Sequence, residues 1–600
     1  MCGIFTILNN DIIPFKTIEK SFMKGQQRGP EFSTINTIFK SIMGFHRLAI
    51  NGLNDASNQP LIINDITLIC NGEIFNYKEL YDMISIEPTT DSDCEIIIHL
   101  YVKYGIEQTL QMLDGEFAFV LLDYRLNPQL HNSMYIARDP YGIRPLYYLK
   151  PAKKRNLPIY GFASELKCLN DIYNLNPSNH TIQPFRPGTY STFQLSNLVN
   201  SEWTPLHNTP YFIPTFSYSH FIKDNINMPA IYSGVSYYLN NAVIKRCTNS
   251  ERPIACLLSG GLDSSLITAL TNNYYKTIRY PHPLETFSIG LAGSEDLKYA
   301  RIVADYLGTK HTEIIVTETV MFDIIPEVIY AIESYDTTTV RASIGNYLLG
   351  KYIAKNSSAK VILNGDGSDE VCGGYIYMNK CPDNIEFDKE IRRLLKDIHM
   401  YDVLRSDKSI SSHGLEPRTP FLDRSFVNYY LSIPIHLRNH NNDKTMEKFL
   451  LRNSFSQKVF TNFEGNQLLP DEILWRRKEA FSDGVSSKGR SLFTILQEYI
   501  SLHLNLEQNL PPHTFTQPHT FTQPHTFTQP HTFTPSIDTE KYYYKMLFNK
   551  FYPNCSQILP YLWMPKYTNA TDPSARTLEI YVADNNNTST NENTMIPNLI

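Results

Sequence analysis

The feature that most constrains the fold is a short glycine-containing turn between an apolar strand and a helix. The apolar run Pro253–Leu258 is followed by Ser-Gly-Gly and then by a helical stretch that starts at Ser264. The same alternation returns downstream, with an apolar run at Leu284–Ile289, a helical pattern over 295–306 and a third apolar run at Val361–Leu363. Strands that alternate with helices predict a parallel α/β sheet.

The turn after the first of these strands has the composition of an anion-binding loop. Residues 257–265 read Leu-Leu-Ser-Gly-Gly-Leu-Asp-Ser-Ser. The two glycines let backbone N–H groups turn toward an anion, and the serines stand where the positive end of a helix favours phosphate. Asp263 suits a Mg²⁺ ion that bridges phosphate oxygens. The chain contains no GxxxxGK[ST] motif, so the loop is not a P-loop, and an ordinary turn with serine caps is the alternative.

A second acidic, glycine-containing loop follows the third strand. It runs from Asn364 to Glu370 and includes Asp366 and Asp369. Two acidic side chains on a turn that faces the first loop would make a site for Mg²⁺ and substrate.

The first 200 residues have a different pattern, with short apolar runs bounded by Asn, Gly and Asp. Such runs are typical of a β-rich domain. They include Thr67–Cys70, Glu116–Leu122 and Met134–Ala137.

One helix and one connector are predicted beside these strands. The helix covers Asp93–Tyr104, with Asp91 or Ser92 as its cap. The stretch around 200–228 is rich in Pro, Ser, Thr and aromatic residues and has no helical period, which predicts a connector between domains.

The N-terminus has the form of an N-terminal nucleophile. The chain begins Met1-Cys2-Gly3-Ile4, and removal of Met1 would leave a thiol and an α-amino group on one residue. The amine titrates near ~8 and the thiol near ~8.5, so the amine can serve as the base for the thiol. A cysteine at position 2 is, by itself, more often an accident of sequence.

Residues that suit glutamine binding follow in order along the chain. Arg47 suits the carboxylate by bidentate pairing, and Glu73 and Asp93 suit the α-ammonium group. The Asn71 amide and the Gly72 N–H suit an oxyanion, because a glycine lets the substrate approach the backbone. For each residue alone, a turn or a surface ion pair is the simpler explanation.

Together these residues resemble the class II glutamine amidotransferase domain, from Cys2 to about Tyr190. Asp114-Gly115 and the run 138–142, Arg-Asp-Pro-Tyr-Gly, belong to the same pattern. The resemblance implies an αββα sandwich in which Cys2 forms a γ-glutamyl thioester. It assigns glutamine binding to Arg47, Ile50, Asn71, Gly72, Glu73 and Asp93.

The 257–265 loop resembles the pyrophosphate loop of ATP-pyrophosphatases, which split ATP into AMP and pyrophosphate. From Cys2 to about Leu578 the chain resembles the asparagine synthetase family of the long, eukaryote-like type. The strings that carry this resemblance are Thr338–Ser343, Ser368–Val371, Gly373–Tyr375, Leu404–Lys408, Pro420–Asp423, Trp475–Gly484, Trp563–Lys566 and Thr571–Arg576.

The resemblance also implies roles for residues of the second site. Arg341 and Lys478 are expected as cations near an aspartyl-adenylate and pyrophosphate, and Asp263 and Asp369 as ligands of Mg²⁺. The residues expected around ATP are Leu257, Ser259, Gly260, Gly261, Asp263, Ser264, Ser265, Ile289, Asn364 and Gly365. The residues expected to act in catalysis are Cys2, Asn71, Gly72, Arg341, Asp366 and Lys478.

The second loop departs from the family at two positions. The family usually has Ser-Gly-Glu-Gly there, so Asn364 replaces the Ser and Asp366 replaces the Glu. The resemblance implies that this Glu acts in ammonia attack. Asp366 keeps its charge on a side chain one methylene shorter, so an altered efficiency is expected.

The predicted organisation is an αββα amidotransferase domain over 2–190, a connector over 191–228 and a parallel-sheet ATP-pyrophosphatase domain over 229–578. Within 511–535 the hexapeptide Pro-His-Thr-Phe-Thr-Gln repeats, which predicts an exposed loop. Its histidines do not favour a metal site, because spacing in a flexible tract does not fix ligand geometry. The tail 579–600 is predicted to be disordered.

Composition and charge exclude several classes of protein. A chain of 600 residues is too long for one core, and 54 Lys+Arg against 60 Asp+Glu give no basic surface for nucleic acid or membrane. Nine cysteines without a CxxC pair favour a reducing compartment, and no apolar run has the ~20 residues that a membrane helix needs. The sequence predicts a cytoplasmic enzyme that uses L-glutamine, L-aspartate and ATP with Mg²⁺ and has no prosthetic group. A homodimer is compatible with the sequence.

Three alternatives remain open. Another adenylating amidotransferase would act on a different carboxylate, although the Thr338–Arg341 string favours aspartate. A non-catalytic protein that senses glutamine or ATP would have no need of Cys2 or Lys478. A glutaminase alone would leave the nucleotide-site sequence unexplained.

Overall fold

The structure is a computed structural model that describes residues 2–125, 132–152, 158–195, 201–213, 226–440, 446–479, 481–486, 490–508 and 537–578. The predicted loop at 511–535 and the predicted tail at 579–600 lie outside these residues. Within the described ranges, no helix is both long enough and apolar enough to cross a membrane.

The N-terminal domain consists of two antiparallel sheets covered by helices. Its strands are β1 (Gly3–Leu8), β2 (Phe32–Ile38), β3 (Ser41–Arg47), β4 (Leu61–Ile63), β5 (Ile66–Ile74), β6 (Gly115–Asp123), β7 (Asn132–Arg138), β8 (Tyr147–Pro151), β9 (Tyr160–Ala163), β10 (His180–Pro184), β11 (Thr189–Leu195) and β12 (Trp203–Pro210). Its helices are α1 (Phe15–Met23), α2 (Tyr77–Ile84), α3 (Ile96–Met112) and α4 (Lys167–Asn174). One sheet has the order β10-β8-β9-β1-β3-β2, and the other has the order β12-β11-β7-β6-β5-β4.

The two sheets pack face to face through an apolar layer. Ile4 and Phe45 of the first sheet meet Ile69 and Val120 of the second in one buried cluster. The outer face of the second sheet is covered by α2 and α3, and the outer face of the first sheet by α1 and α4. This arrangement confirms the predicted αββα sandwich, and the strands predicted at 67–70, 116–122 and 134–137 are confirmed within β5, β6 and β7.

Two predicted boundaries in this domain are wrong. The helix predicted from Asp93 begins at Ile96, because Asp93–Glu95 forms a 3-10 turn and the Asp93 carboxylate accepts a hydrogen bond from Ile74 N–H, 2.6 Å away. The connector predicted from 191 is shorter at its start, because β11 and β12 pair with each other in the second sheet. Most of β12 is exposed, so it has no apolar pattern that would mark it as a strand.

The C-terminal domain is built on a parallel sheet surrounded by helices. Its strands are β13 (Ile254–Leu257), β14 (Glu285–Leu291), β15 (Lys310–Val316), β16 (Val361–Leu363) and β17 (Glu416–Arg418). Its helices are α5 (Met228–Thr248), α6 (Leu262–Thr277), α7 (Glu295–Leu307), α8 (Glu318–Asp323), α9 (Ile325–Ile332), α10 (Thr337–Asn356), α11 (Ser368–Cys372), α12 (Asn384–Asp397), α13 (Asp402–Ser411), α14 (Arg424–Ser432), α15 (Ile435–Arg438), α16 (Phe449–Ser454), α17 (Asp471–Leu474), α18 (Phe481–Gly484), α19 (Leu492–Gln508) and α20 (Ile537–Phe551).

The parallel sheet brings the two predicted loops together. Its order is β15-β14-β13-β16-β17, and every neighbouring pair is parallel. The carboxyl ends of parallel strands lie at the same edge of a sheet, and ligands bind in the crevice outside that edge. The 257–265 loop follows β13 and the Asn364 loop follows its neighbour β16, so both loops lie at one crevice.

Candidate active site

Cys2 lies just before β1, at the open end of the sandwich. The pairing of β1 with β3 sets Gly3 opposite His46, so Cys2 comes beside the end of β3. The half-buried thiol contacts the Leu48 carbonyl oxygen at 3.7 Å. Burial raises the pKa of the Cys2 thiol to about 11, and the carboxylates of Glu73 and Glu416 act in the same direction. The thiol therefore needs a base in order to attack.

Beyond its pairing with β4, β5 presents a backbone N–H at Gly72 on the side away from β6. Cys70 N–H donates to Gln59 Oε1 and Ile74 N–H donates to Asp93 Oδ2, both at 2.6 Å and both on the side away from β6. Residues two apart on a strand point to the same side, so the Gly72 N–H faces that edge as well. The Cys94 thiol contacts the Gly72 carbonyl oxygen from the same side. Among the described residues no acceptor faces the Gly72 N–H, which leaves it available to an oxyanion.

Asn71 is tied to the start of β1. Ser164 Oγ accepts hydrogen bonds from Ile4 N–H at 3.1 Å and from Asn71 Nδ2 at 3.4 Å. The Asn71 amide therefore lies close to the end of the strand that carries Cys2. At Gly72 an added Cβ would lie 2.3 Å from the Glu116 carbonyl oxygen on β6. Strand packing by itself therefore requires a glycine here, and the approach of a substrate to its N–H stays a prediction.

Glu73 and Asp93 form a buried acidic pair. Burial raises the pKa of Asp93 to about 6 and raises the pKa of Glu73 well above its ordinary value, to which the charge of Asp93 contributes. A bound ammonium group would stabilise the charged form of both carboxylates and so lower both pKa values. Glu73 Oε2 is held by Asn51 Nδ2 at 2.6 Å and by Asn249 Nδ2 at 3.1 Å.

Arg47 and Ile50 are engaged by the protein itself in this structure. The Arg47 guanidinium donates to the Asn54 carbonyl oxygen at 2.9 Å, to Asn58 Oδ1 at 2.7 Å and to the Gly52 carbonyl oxygen, so it shapes the loop 51–58. The Ile50 carbonyl oxygen accepts from Glu251 N–H at 3.1 Å. The role of Arg47 as carboxylate binder stays a prediction.

The crevice at the edge of the parallel sheet is a cavity of about 180 Å³. The predicted nucleotide residues that line it are Leu257, Ser259, Gly261, Asp263, Ser264, Ile289, Asn364 and Gly365. Gly260 and Ser265 do not line it. Gly260 has φ +70° and an added Cβ there would lie 2.4 Å from Ala300 N on α7, while Ser265 is fully buried in α6.

Two carboxylates and two ammonium groups meet in the cavity wall. Lys448 Nζ lies 2.7 Å from both carboxylate oxygens of Asp263 and 2.5 Å from Asp369 Oδ1. Lys478 Nζ lies 2.7 Å from Asp369 Oδ2 and 3.4 Å from Asp263 Oδ2. The two lysines hold the pKa of Asp369 well below its usual range, although burial opposes them. Carboxylate oxygens are the ligands that a hard cation such as Mg²⁺ prefers, and ammonium groups suit phosphate oxygens.

Asp366 lines the same cavity and has one carboxylate oxygen without a partner among the described residues. Its Oδ1 lies 3.1 Å from Arg405 Nη2, while its buried Oδ2 has no hydrogen-bond partner among the described residues. Asn364 closes the loop beneath it, because Asn364 Nδ2 donates to Ser406 Oγ at 2.7 Å and Asn364 Oδ1 accepts from Asp366 N–H at 3.3 Å.

Arg341 does not line this cavity, although Thr338 and Ala342 on the same helix do, and its role beside the nucleotide stays a prediction. Its guanidinium is bound on two sides, by Glu540 at 2.8 and 2.5 Å and by Asp572 at 2.7 and 2.8 Å. All three side chains are buried. The two carboxylates satisfy the charge of Arg341 and join α10 to the C-terminal segment.

Family models match both halves of the chain. The glutamine amidotransferase domain model matches residues 1–197, and the asparagine synthase model matches residues 234–388 and 379–557. The asparagine synthetase [glutamine-hydrolyzing] of Gallus gallus is 39% identical over 97% of this chain and 99% of its own length. The Homo sapiens enzyme of the same name is also 39% identical, over 97% and 99% of the two chains.

The chain belongs to the glutamine-hydrolysing asparagine synthetase family. The resemblance predicted from the motifs is thereby confirmed. A solved NH3-dependent NAD synthetase from Campylobacter jejuni is 22% identical and covers 25% of this chain and 61% of that chain, with a TM-score of 0.17.

For this asparagine synthetase family member, the sequence predicted no role for several residues at the two sites. Lys448 lies outside every sequence motif that carried the resemblance. Its partner Asp263 is 185 residues away along the chain. Arg405 lies in the Leu404–Lys408 string without a predicted role. Asn249 and Arg418 approach Glu73 from the C-terminal domain. Only the tertiary structure brings these pairs together.

Proposed function

We propose that this chain converts L-aspartate to L-asparagine in an ATP-dependent, glutamine-hydrolysing reaction that passes through β-aspartyl-AMP. The other products are AMP, pyrophosphate and glutamate. The observation that carries this proposal is the cavity in which Asp263, Asp369, Lys448 and Lys478 converge beside the free oxygen of Asp366. A site with paired cations and carboxylates suits nucleotide activation, and the adjacent free carboxylate suits proton removal from ammonia.

In the glutaminase half-reaction, the Cys2 thiol attacks the carboxamide carbon of glutamine. The α-amino group of processed Cys2 takes the thiol proton. This base is needed because burial raises the pKa of the thiol. The Asn71 amide and the Gly72 N–H stabilise the oxyanion, and ammonia leaves. Water then cleaves the thioester to glutamate. Glu73 and Asp93 hold the α-ammonium group of the substrate.

In the synthetase half-reaction, the β-carboxylate of aspartate attacks the α-phosphorus of ATP and pyrophosphate leaves. Asp263 and Asp369 would hold Mg²⁺, which supplies charge neutralisation for the phosphates. Lys448 and Lys478 bind the departing pyrophosphate oxygens. Ammonia then attacks the activated carbonyl carbon and AMP leaves, while Asp366 Oδ2 accepts a proton from the attacking nitrogen. The absence of a prosthetic group, a homodimer and a cytoplasmic location stay predictions.

The test is asparagine and AMP formation by the purified, methionine-processed chain with MgATP and aspartate, supplied with glutamine or with ammonium chloride. We expect asparagine from both nitrogen sources. Cys2→Ala should lose only the glutamine reaction, and Cys555→Ala, a buried cysteine that contacts Asn170 outside both sites, should lose neither. Neither AMP nor asparagine from either nitrogen source, in a folded chain that still hydrolyses glutamine, would point to a different acceptor carboxylate or to an effect of Asn364 and Asp366. Glutamine binding without any turnover would point to a sensor protein instead.

A further inference from the structure

The C-terminal domain supplies two side chains to the acidic pair of the glutamine pocket. Asn249, just after α5, donates from Nδ2 to Glu73 Oε2 at 3.1 Å, and its own Oδ1 accepts from Asn51 Nδ2 at 3.1 Å. Arg418, the last residue of β17, places Nη2 3.2 Å from the same Glu73 oxygen. Among the described residues, two of the three side chains that contact the Glu73 carboxylate therefore come from across the domain boundary.

Several hydrogen bonds fix the Arg418 side chain in place beside Glu73. It is fully buried, its Nη1 donates to the carbonyl oxygens of Arg246 at 2.6 Å and Asn249 at 2.7 Å, and its Nε donates to Glu416 at 2.8 Å. Its Nη2 lies between Glu416 Oε1 at 2.8 Å and Glu73 Oε2 at 3.2 Å, so Arg418 forms an ion pair with Glu73 while its other nitrogens keep their acceptors, which a lysine cannot do.

The backbone of Arg418 reaches the other site. Its carbonyl oxygen accepts from Asn364 N–H at 3.3 Å, and Asn364 begins the loop that carries Asp366. Asn364 and Gly365 both line the nucleotide cavity. One residue thus contacts the glutamine pocket with its side chain and the nucleotide loop with its backbone.

We infer that Asn249 and Arg418 are positioning residues of the glutamine pocket, and that Arg418 links this pocket to the Asn364–Gly367 loop. They fix the Glu73 carboxylate for the α-ammonium group of glutamine, a role of Glu73 that rests on the proposed function. A ligand that shifts the Asn364 loop moves Arg418 and with it Glu73. Binding at the two sites is therefore coupled, and the coupling is reciprocal.

The first test measures glutamate release by the full chain. Asn249→Ala should raise the KM for glutamine about tenfold, the usual effect of losing a hydrogen bond to a charged group, with kcat within about threefold of wild type. The matched control is Thr248→Ala on the same turn, whose exposed hydroxyl contacts only the Lys245 carbonyl oxygen and should leave KM unchanged. A normal KM in folded Asn249→Ala would overturn the positioning role.

The second test measures coupling at equilibrium. In the Cys2→Ala chain, which binds glutamine without turnover, calorimetry would give the Kd for glutamine with and without a non-hydrolysable MgATP analogue and aspartate. We expect the two Kd values to differ by about threefold or more, within the usual range for coupled sites. Adding Arg418→Lys to the Cys2→Ala chain should make the two Kd values for glutamine equal. Arg246→Lys, an equally buried cation paired with Glu116 and Asp423, should not.

Equal Kd values in the Cys2→Ala chain would overturn the link between the sites, and this outcome does not depend on whether Arg418→Lys folds. Failure of the proposed function looks different. In that case the wild-type chain makes no asparagine even from ammonium, while glutamate release remains measurable. If wild type does make asparagine, an unchanged KM for glutamine in Asn249→Ala would count against the positioning role of Asn249 alone.

Discussion

Arg341 offers a direct way to separate a structural cation from a catalytic one. The family resemblance implies that it acts on the nucleotide, whereas the structure binds it to Glu540 and Asp572 outside the cavity. Arg341→Met leaves two buried carboxylates without a cation. Removing one partner of a buried ion pair costs about 3–5 kcal/mol, and here a single change strands two partners. We expect the free energy of unfolding to fall by at least that amount.

The compensating variant carries Arg341→Met together with Glu540→Gln and Asp572→Asn. No uncompensated charge remains in it, so we expect it to recover at least about half of the lost stability, since replacing a whole buried ion pair is often nearly neutral. Stability would be followed by the urea midpoint, and docking of the C-terminal segment by protease resistance of residues 537–578. Lys24→Met is the control, because its partner Asp171 lies at the surface and exposed pairs contribute little.

Activity then decides between the two roles. If Arg341 is structural, the triple variant forms asparagine and AMP from ammonium with a KM for ATP close to the wild-type value. If the triple variant is as stable as wild type, keeps its C-terminal segment protected and still makes no AMP, Arg341 contacts the substrate and the structural interpretation is refuted.

Three other changes test the two sites. Asp366→Asn should lower asparagine formation by about 100-fold or more, the scale of a general base, while aspartate-dependent ATP–pyrophosphate exchange continues; loss of both together would mean that Asp366 acts in adenylation. Because the pKa of Asp93 is raised to about 6, the KM for glutamine in glutamate release should increase as pH falls through that value and Asp93 loses its charge, and Asp93→Asn should flatten this dependence. Gly72→Ala forces a Cβ to 2.3 Å from the Glu116 carbonyl oxygen, so we expect the urea midpoint to fall with a loss of about 1–3 kcal/mol, and an unchanged midpoint would contradict the packing role.

The sequence predicted those strands and turns whose conformation depends on their own residues. The apolar runs at 253–258 and 361–363 give β13 and β16 because both strands are buried on both faces of a parallel sheet. The glycine and serine turn after β13 follows from the same logic, and it places Ser259, Asp263 and Ser264 at the cavity.

Long-range contacts determine the parts that the sequence did not predict. β12 is a strand because β11 pairs with it, although its own residues are mostly exposed and include prolines. Arg341 has a string of family residues around it, yet its environment is set by Glu540 and Asp572 far along the chain. The same holds for Lys448, whose position depends on carboxylates from two other loops.

The two departures in the second loop are best understood as one local arrangement. Asn364 occupies a position where its amide reaches Ser406 on α13 and its carbonyl oxygen receives the Asp366 N–H. Arg405, the neighbour of Ser406, holds one oxygen of Asp366 from the same helix. The loop and α13 therefore fix the position of the shorter carboxylate, and its second oxygen has no partner among the described residues. In the proposed reaction, proton transfer from ammonia requires a carboxylate oxygen, so we expect Asp366 to keep this role at a changed distance from the substrate.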